Sequence, residues 1–328
     1  MHNAAIRCNA SVTGGMGNLI RQLHLAKLLR DRGMEISFFV PRYQPALETL
    51  TRDGFSPHIV EPGDGLPPDA AEPFGLAILD IMDTSPELIQ TLHRQCKKIA
   101  SLEDLGEGRN HVDLLIDCNL EPERSKDVSS KVKTLFGLPY SILHPDFANY
   151  HERTRRFGSA PETCLITMGG TDPNRLTLRL AKLCLEMKED LKLTVLAGPG
   201  FEDRDELEGL RSARCEILFD ITDMARTLFE HQRVICSGGV TLHEALAVGT
   251  PAFAVNQVPH QEKKAKTLEA LGAAVNLGLA ESFDQNKLAA ILHMRKEELE
   301  AMSRAGKKLI DGQGIHRTAD ELIKLAGS

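Results

Sequence analysis

Several absences narrow the possibilities before any motif is considered. The 328-residue chain has no surplus of positive charge: its formal net charge is -7, with acidic and basic residues interspersed. It therefore lacks the basic footprint that nucleic acid requires, and any anionic ligand must be held by local dipoles and a few placed side chains. The seven cysteines form no CxxC pair. Most lie in apolar segments, as small buried hydrophobes of a reducing compartment do. No apolar run approaches membrane-spanning length, and Met1 to Ala4 leads into a strand without a charged or apolar leader region. No signal peptide or membrane span is expected, and the cytoplasm is the expected location. No histidine pair has metal-ligand spacing beside a carboxylate, so neither metal nor cofactor is expected.

Two further absences concern nucleotide motifs. A glycine-rich turn, Gly14-Gly15-Met16-Gly17-Asn18, follows a strand-like run at 6–12. A nicotinamide site would need GxGxxG spacing and an acidic residue closing the second strand. Here Gly14-x-x-Gly17 lacks that spacing, and the strand ends Val40-Pro41-Arg42. No Walker lysine follows any glycine loop, which argues against a P-loop nucleotidase.

What is present is a recurring strand, turn and helix. Short apolar runs bounded by turn residues suit a parallel sheet covered on both faces. They fall at 36–40, 76–81, 98–101 and 114–117, then at 164–168, 193–197, 215–219, 234–236 and 252–255. Helical stretches are expected at 175–187, 224–230, 242–247 and 261–271. A chain of this length is comfortable as two α/β domains, each doubly wound in Rossmann fashion. The expected division is an N-terminal sugar or acceptor domain at 1–148, a polar linker at 149–161, and a nucleotide-binding domain at 162–328. A ligand is then expected in a crevice between the domains, at the C-terminal strand ends.

The most informative segment is Cys236-Ser237-Gly238-Gly239-Val240-Thr241-Leu242-His243-Glu244, which closes one strand and opens a helix. Gly238 and Gly239 allow close backbone approach to an anion, and the helix start presents free N–H groups and a positive dipole end. Glu244, one turn in, is placed to accept from two ribose hydroxyls. The alternative is that Thr241-x-x-Glu244 is only a capping box. A second loop, Gly169-Gly170-Thr171-Asp172-Pro173, has the same form. An Asp N-cap with Pro at the first helical position explains Asp172 and Pro173, leaving Gly169, Gly170 and Thr171 for phosphate or sugar. Asn256 and Gln257, past the next strand, either lock the glycine loop or meet the sugar. His243 and His260 read as surface or capping residues.

The chain resembles the UDP-sugar hydrolase of the pseudaminic acid pathway, PseG, and the SpsG-type spore-coat polysaccharide proteins, and more distantly the MurG glycosyltransferase. The blocks that carry the resemblance are Gly15-x-Gly17-Asn18-x-x-Arg21, Leu102-Glu103-Asp104-Leu105, Asp117-Cys118-Asn119, Tyr140 to Phe147, Gly169 to Pro173, and Ser237 through Glu244 to Asn256-Gln257. The resemblance implies a GT-B fold, a metal-independent enzyme and a UDP-activated amino sugar as substrate, with release of UDP in nonulosonic acid or surface polysaccharide synthesis. It also implies backbone contacts to the base at Ile221 to Met224, and sugar contacts from Gly15, Gly17, Arg21 and Tyr140. Two departures bear on the reaction. Asn18 stands where the hydrolases carry a histidine, and an amide cannot exchange a proton near neutral pH. His144 and Asp146 replace an Arg and a Glu. Asp104 and His144 are therefore the candidates for activating the incoming oxygen, with Asn18 orienting it. The alternatives are glycosyl transfer to an acceptor hydroxyl and a catalytically silent nucleotide-sugar binder.

Overall fold

The computed structural model describes residues 3–11, 15–63, 65–67, 73–121, 124, 126–158, 162–170, 172–198, 200–219 and 221–328. Met1, Gly14 and Thr171, all named above, and the end of the run at 6–12 lie outside the described residues. The chain divides into two units, Met1–His144 with Gln313–Ser328, and Pro145–Gly312.

The first unit is built on β1 (Asn3–Cys8), β2 (Glu35–Val40), β3 (His58–Ile59), β4 (Phe74–Asp80), β5 (Cys96–Leu102), β6 (Leu114–Asp117) and β7 (Lys133–Phe136). Their order is β3-β2-β1-β4-β5-β6-β7, with every pairing parallel. Period-two alternation sends Ala4, Ile6 and Cys8 to one core and Ala5 to the other, as a sheet covered on both faces requires. Helices α1 (Gly17–Asp31), α2 (Gln44–Arg52) and α3 (Pro86–Leu92) connect the strands. Ser85 caps α3 by accepting from Leu88 N at 3.2 Å, with Pro86 next to it; proline is pre-set for that first helical position.

The second unit is built on β8 (Thr163–Thr167), β9 (Lys192–Ala197), β10 (Cys215–Phe219), β11 (Arg233–Cys236), β12 (Ala252–Asn256) and β13 (Ala274–Leu279). They lie in the order β10-β9-β8-β11-β12-β13, again all parallel. Its helices are α4 (Asp146–His151), α5 (Leu176–Met187), α6 (Arg204–Glu208), α7 (Met224–Glu230), α8 (Val240–Val248), α9 (Pro259–Ala270), α10 (Gln285–Leu292) and α11 (Lys296–Leu309). Each sheet reverses its winding once, between β1 and β4 and between β8 and β11. In open parallel sheets such switch points open a crevice at the carboxyl ends of the strands.

This division differs from the expected one in two places. The final helix, α12 (Gly314–Ala326), belongs to the first unit. It buries Ile315, Ala319 and Leu322 in that unit's core, and Arg317 donates to Pro139 O at 2.9 Å. Residues 145–158, expected to end the first domain and form a linker, are docked on the second unit. There His151 Nδ1 meets Ala247 O at 2.9 Å, Arg155 donates to Phe229 O at 2.9 Å, and Tyr150 packs on Phe229 with ring centroids 5.4 Å apart. The segment lacks an apolar period because its anchoring is aromatic and polar. Among the described residues, no helix is long and apolar enough to cross a membrane, and no group of three His, Cys, Asp or Glu side chains is placed to hold a metal ion.

Candidate functional site

In the second unit, the turns after β8, β9, β11 and β12 meet at the switch point. Gly169 adopts φ 94, a left-handed conformation that glycine reaches without strain. A Cβ on Gly198 would collide with Gly169 O and lie 2.6 Å from Gly170 Cα, so these two loops are in backbone contact. Gln257 Nε2 donates to Met168 O at 3.3 Å, and its Oε1 accepts from Asn174 at 3.2 Å, tying the β12 turn to the β8 turn. Asn256 is fully buried, and its amide donates to Asn276 Oδ1 at 2.8 Å and Gly278 O at 2.9 Å. Of its two expected roles, locking the loop is the one this geometry fits. A Cβ on Gly238 would run into Asn256 Oδ1 and come within 2.8 Å of Gln261 O. The glycine is thus demanded by close packing beneath the turn, while Gly239 has only ordinary contacts.

Helix α8 starts at Val240 with Gly239 as N-cap, and no side chain caps it. The capping box is therefore not formed: Thr241 is the second helical residue, and its hydroxyl meets Glu244 instead. The first-turn N–H groups of α8 carry no carboxylate of their own, which leaves the helix end suited to an anion. Burial pushes the Glu244 carboxyl up to about 7, against a smaller downward pull from the Thr241 hydroxyl. Removal of water makes the charged form costly, so Glu244 is poised to gain from hydroxyl donors. Ser237 and Thr241 are buried beside it. His243, expected at the surface, is also buried, 3% exposed, because its face of α8 turns toward the core; His260 is exposed.

The helix after β8 contrasts with α8. Asp172 accepts from Leu176 N at 3.0 Å and Thr177 N at 2.7 Å. The Asp does cap the helix, but from further back than the Asp-Pro pattern implied: α5 begins at Leu176, and its N-cap is Arg175 at φ 50. This N-terminus is filled by the protein's own carboxylate. At α7, Asp223 likewise caps, accepting from Arg226 N at 2.8 Å; Ile221 and Met224 flank it, half-buried.

In the first unit, Gly15 adopts φ 74 and its N donates to Ser11 O at 2.9 Å, closing the turn after β1. Helix α1 then begins at Gly17 with no side-chain cap and no acidic residue in its first turn. Asn18 is half-buried there. One turn on, Arg21 donates two hydrogen bonds to Asp80, at 2.7 and 2.6 Å, and pairs with Glu103 at 2.9 Å. Burial alone would push the Arg21 guanidinium down; the Asp80 and Glu103 carboxylates more than reverse that and hold it well above its ordinary value. Arg21, expected to touch sugar, is committed to these two carboxylates. Tyr140 is partly buried against the first unit's core, where Pro139 meets the C-terminal helix.

Three carboxylates at this edge, Glu103, Asp104 and Asp117, are engaged by the protein's own donors. Asp104 is fully buried. It accepts from Thr84 N at 3.1 Å, the Thr84 hydroxyl, Ser101 Oγ at 2.9 Å and Gly106 N at 2.9 Å. Nothing is left over for a substrate proton, and its work is to clamp the 104–106 turn onto the 84 loop. Asp117 is equally buried, held by Arg124 at 2.7 Å and Asn119 at 2.8 Å. Glu103, between them, was named above only within a block; its carboxylate also accepts from Cys118 Sγ at 2.6 Å. His144 packs edge-on against His24, with ring centroids 4.9 Å apart. His24 lies six residues beyond Asn18 on α1, about 9 Å along the axis at 1.5 Å per residue. Burial, reinforced by His144, pushes His24 down to about 3.

No protein-family model matches the chain. The chain is similar to SpsG. That spore coat polysaccharide biosynthesis protein of Bacillus subtilis is 26% identical over 321 residues, covering 92% of each chain. An uncharacterized protein of Methanocaldococcus jannaschii is 26% identical over 273 residues, 77% of this chain and 55% of that one. The chain therefore spans about half the length of that relative. Among solved structures, MurG of Acinetobacter baumannii matches with a TM-score of 0.67 at 15% identity, covering 98% of this chain and 99% of that one. MnaA of Staphylococcus aureus, solved with UDP, matches with a TM-score of 0.64 at 13% identity, covering 100% and 98%. At such identities the likeness is one of fold. Two parallel-sheet α/β units are what the strand pattern predicted, and the GT-B type is what the resemblance implied.

Proposed function

We propose that the chain acts on a UDP-activated amino sugar, breaking the bond between sugar and diphosphate and releasing UDP, as a PseG-like hydrolase of nonulosonic acid or surface polysaccharide synthesis. The observation that carries this is the open N-terminus of α8, reached by the Ser237-Gly238-Gly239 turn and followed by the half-buried Glu244. Its N–H groups are preorganised donors for a departing diphosphate, which needs no metal when such donors act out of water. In this assignment Gly170, Thr171, Ser237, Gly238, Gly239 and Thr241 serve the phosphates. Glu244 accepts from the ribose, and the 221–224 backbone meets the base. Asn256 and Gln257 shape the sugar end of the loop, and Gly15, Gly17, Arg21 and Tyr140 shape the sugar's surroundings in the first unit. The similarity to SpsG supports the polysaccharide context, and the UDP in MnaA supports the nucleotide.

Glycosyl transfer to an acceptor hydroxyl is the second reading, and Asn18 is what favours it. An amide orients an oxygen by hydrogen bonds but cannot relay its proton. The purified protein is to be incubated with UDP-2,4-diacetamido-2,4,6-trideoxyhexoses and UDP-N-acetylhexosamines in buffer, and UDP followed by chromatography. Release without acceptor is the expected result. Binding without release shifts the work to acceptor screening; no turnover with any acceptor leaves a silent binder. If Asn18→His raises release, a hydrolase scaffold is retained.

A further inference from the structure

A nucleobase offers a protein two kinds of surface: polar edges, which backbone groups meet in the plane of the ring, and apolar faces, which need something flat against them. The 221–224 backbone supplies only the first. Directly before it, the second unit carries a flat pair of side chains. Phe219, the last residue of β10, lies in register with Ala197 at the end of β9, so it stands at the carboxyl edge of the sheet. It is half-buried and packs against the core of its unit. The Arg204 guanidinium lies over that ring, 4.6 Å from its centroid, an arrangement suited to a planar cation whose two faces can be covered at once. The segment that leads to Arg204 is held firmly: Gly200 N donates to Gly170 O at 2.8 Å and Phe201 N to Gly198 O at 3.1 Å, with the Phe201 ring in the core. Arg204 itself is half-buried. Ile221 follows Phe219 by two residues, no more than about 7 Å along an extended chain, a reach that a base and its contacts span. A second pair of the same form, Arg179 over Phe283 at 4.6 Å, lies past β13 at the other end of the sheet. There the ring is buried, 5% exposed, and Arg179 donates to Ala280 O at 3.4 Å.

We infer that Arg204, backed by Phe219, is the platform on which the base of the nucleotide stacks, a conclusion that rests on the function proposed above. The guanidinium covers one face of the base while the 221–224 backbone meets its edges. Phe219 keeps the guanidinium plane in place from beneath, so little side-chain freedom is left to lose when the base arrives. Stacking reads a π-face and not a hydrogen-bond pattern. The platform therefore sets how tightly a nucleoside diphosphate is held relative to a bare diphosphate, and the choice among bases stays with the backbone.

The test uses the full chain with three variants, Arg204→Ala, Arg204→Lys and Arg179→Ala, the last as the control. Three quantities are measured: UDP affinity by calorimetry, inorganic pyrophosphate affinity by displacement of UDP, and thermal midpoint. Arg204→Ala should weaken UDP at least about fivefold, the lower end of what one stacked base is worth. Pyrophosphate should stay within about twofold of wild type, and the midpoint should hold. Arg204→Lys keeps the charge and loses the plane, so it too should weaken UDP at least about fivefold. Arg179→Ala should bind UDP as wild type. A smaller loss in Arg204→Ala overturns the inference and leaves the function standing. So do equal losses of UDP and pyrophosphate, which mark Arg204 as a phosphate contact or as structural, a smaller loss in Arg204→Lys, which makes charge the cause, and an equal loss in Arg179→Ala. Where wild type takes UDP but no measurable pyrophosphate, Arg204→Lys decides alone. A wild type that binds no UDP overturns the function and the inference together, whereas one that binds UDP through Arg204 and turns over no donor overturns the function alone.

Discussion

The two units share one topology and use its switch point in opposite ways. In the first, the carboxyl ends of β4, β5 and β6 carry Asp80, Glu103 and Asp117, neutralised by Arg21 and Arg124. In the second, the corresponding ends carry glycines, serine and amides, and the uncapped N-terminus of α8 presents a partial positive charge. Helix caps show the same contrast. The helix following the first strand is open in the first unit and closed by Asp172 in the second, where the open helix follows the fourth strand instead. A doubly wound sheet therefore fixes where a ligand edge lies, but not which chemistry occupies it. Backbone donors suit a diphosphate, whose charge is already present.

The largest test of this contrast is Asp104→Ala. Four donors lose their acceptor at once, two of them buried backbone N–H groups, each worth about 1–3 kcal/mol when stranded. We expect a loss of at least about 3 kcal/mol in denaturant unfolding, with UDP affinity of the surviving folded protein unchanged. A stable Asp104→Ala protein that loses only turnover would return Asp104 to the reacting groups. Next is Gly238→Ala. Its Cβ meets Asn256 and Gln261 O, an overpacking that costs about 1–3 kcal/mol and displaces the turn. UDP affinity should then fall about tenfold for each 1.4 kcal/mol, whereas Gly239→Ala, whose Cβ makes only ordinary contacts with Ser237 and Gln261, should bind more nearly as wild type.

The third test is the pH dependence that Glu244 confers. Its folded-state value is raised from an ordinary 4.5 to about 7. The stability linked to its protonated form is thus fully present below about 4.5 and is lost as pH rises through about 7. Discounting the shift for the side chain's partial exposure leaves about 1–2 kcal/mol over that window. Urea midpoints of the unliganded wild type should fall from pH 5 to pH 8 relative to Glu244→Gln, in which this component is absent. Saturating UDP should shrink the difference, since ribose hydroxyls compensate the buried charge. Equal slopes for both proteins would show that Glu244 is solvated and would weaken its assignment to the ribose.

Much of the scaffold was legible because parallel strands buried on both faces leave continuous apolar runs: β2, β4, β6 and β8 to β12 fall on or within a few residues of the runs named. The strands that escaped notice lack such runs. β3 has two residues, β7 is largely exposed, and β13 carries Asn276 and Gly278 in its middle, with an irregular register against β12. The return of α12 to the first unit was not legible, since an amphipathic face states that it needs a sheet but not which one. In the site, glycine turns could be found because a turn is local. The Arg21–Asp80–Glu103 network could not, because its members are 59 and 82 residues from Arg21 (80 − 21 and 103 − 21) and only the β1-β4-β5 register gathers them. One signal was available: an acidic residue closes or follows three successive apolar strands.

The smallest expected effect comes from Asp172→Ala, and it bears directly on the difference between filled and open helix ends. Asp172 places both oxygens on the first N–H groups of α5, so its removal should cost about 0.5–2 kcal/mol, the range for a lost N-cap. It should also free a second positive helix end in the unit. If the diphosphate belongs at α8, UDP affinity in Asp172→Ala should stay within about threefold of wild type, because α8 keeps its donors and Gly238 its packing. If instead the β8 turn is the phosphate site and Asp172 competes with it, UDP affinity should rise on losing that carboxylate, most clearly at low salt, where like charges are least screened. A rise would move the phosphates from Gly239 toward Gly170 and leave the open end of α8 to another part of the ligand.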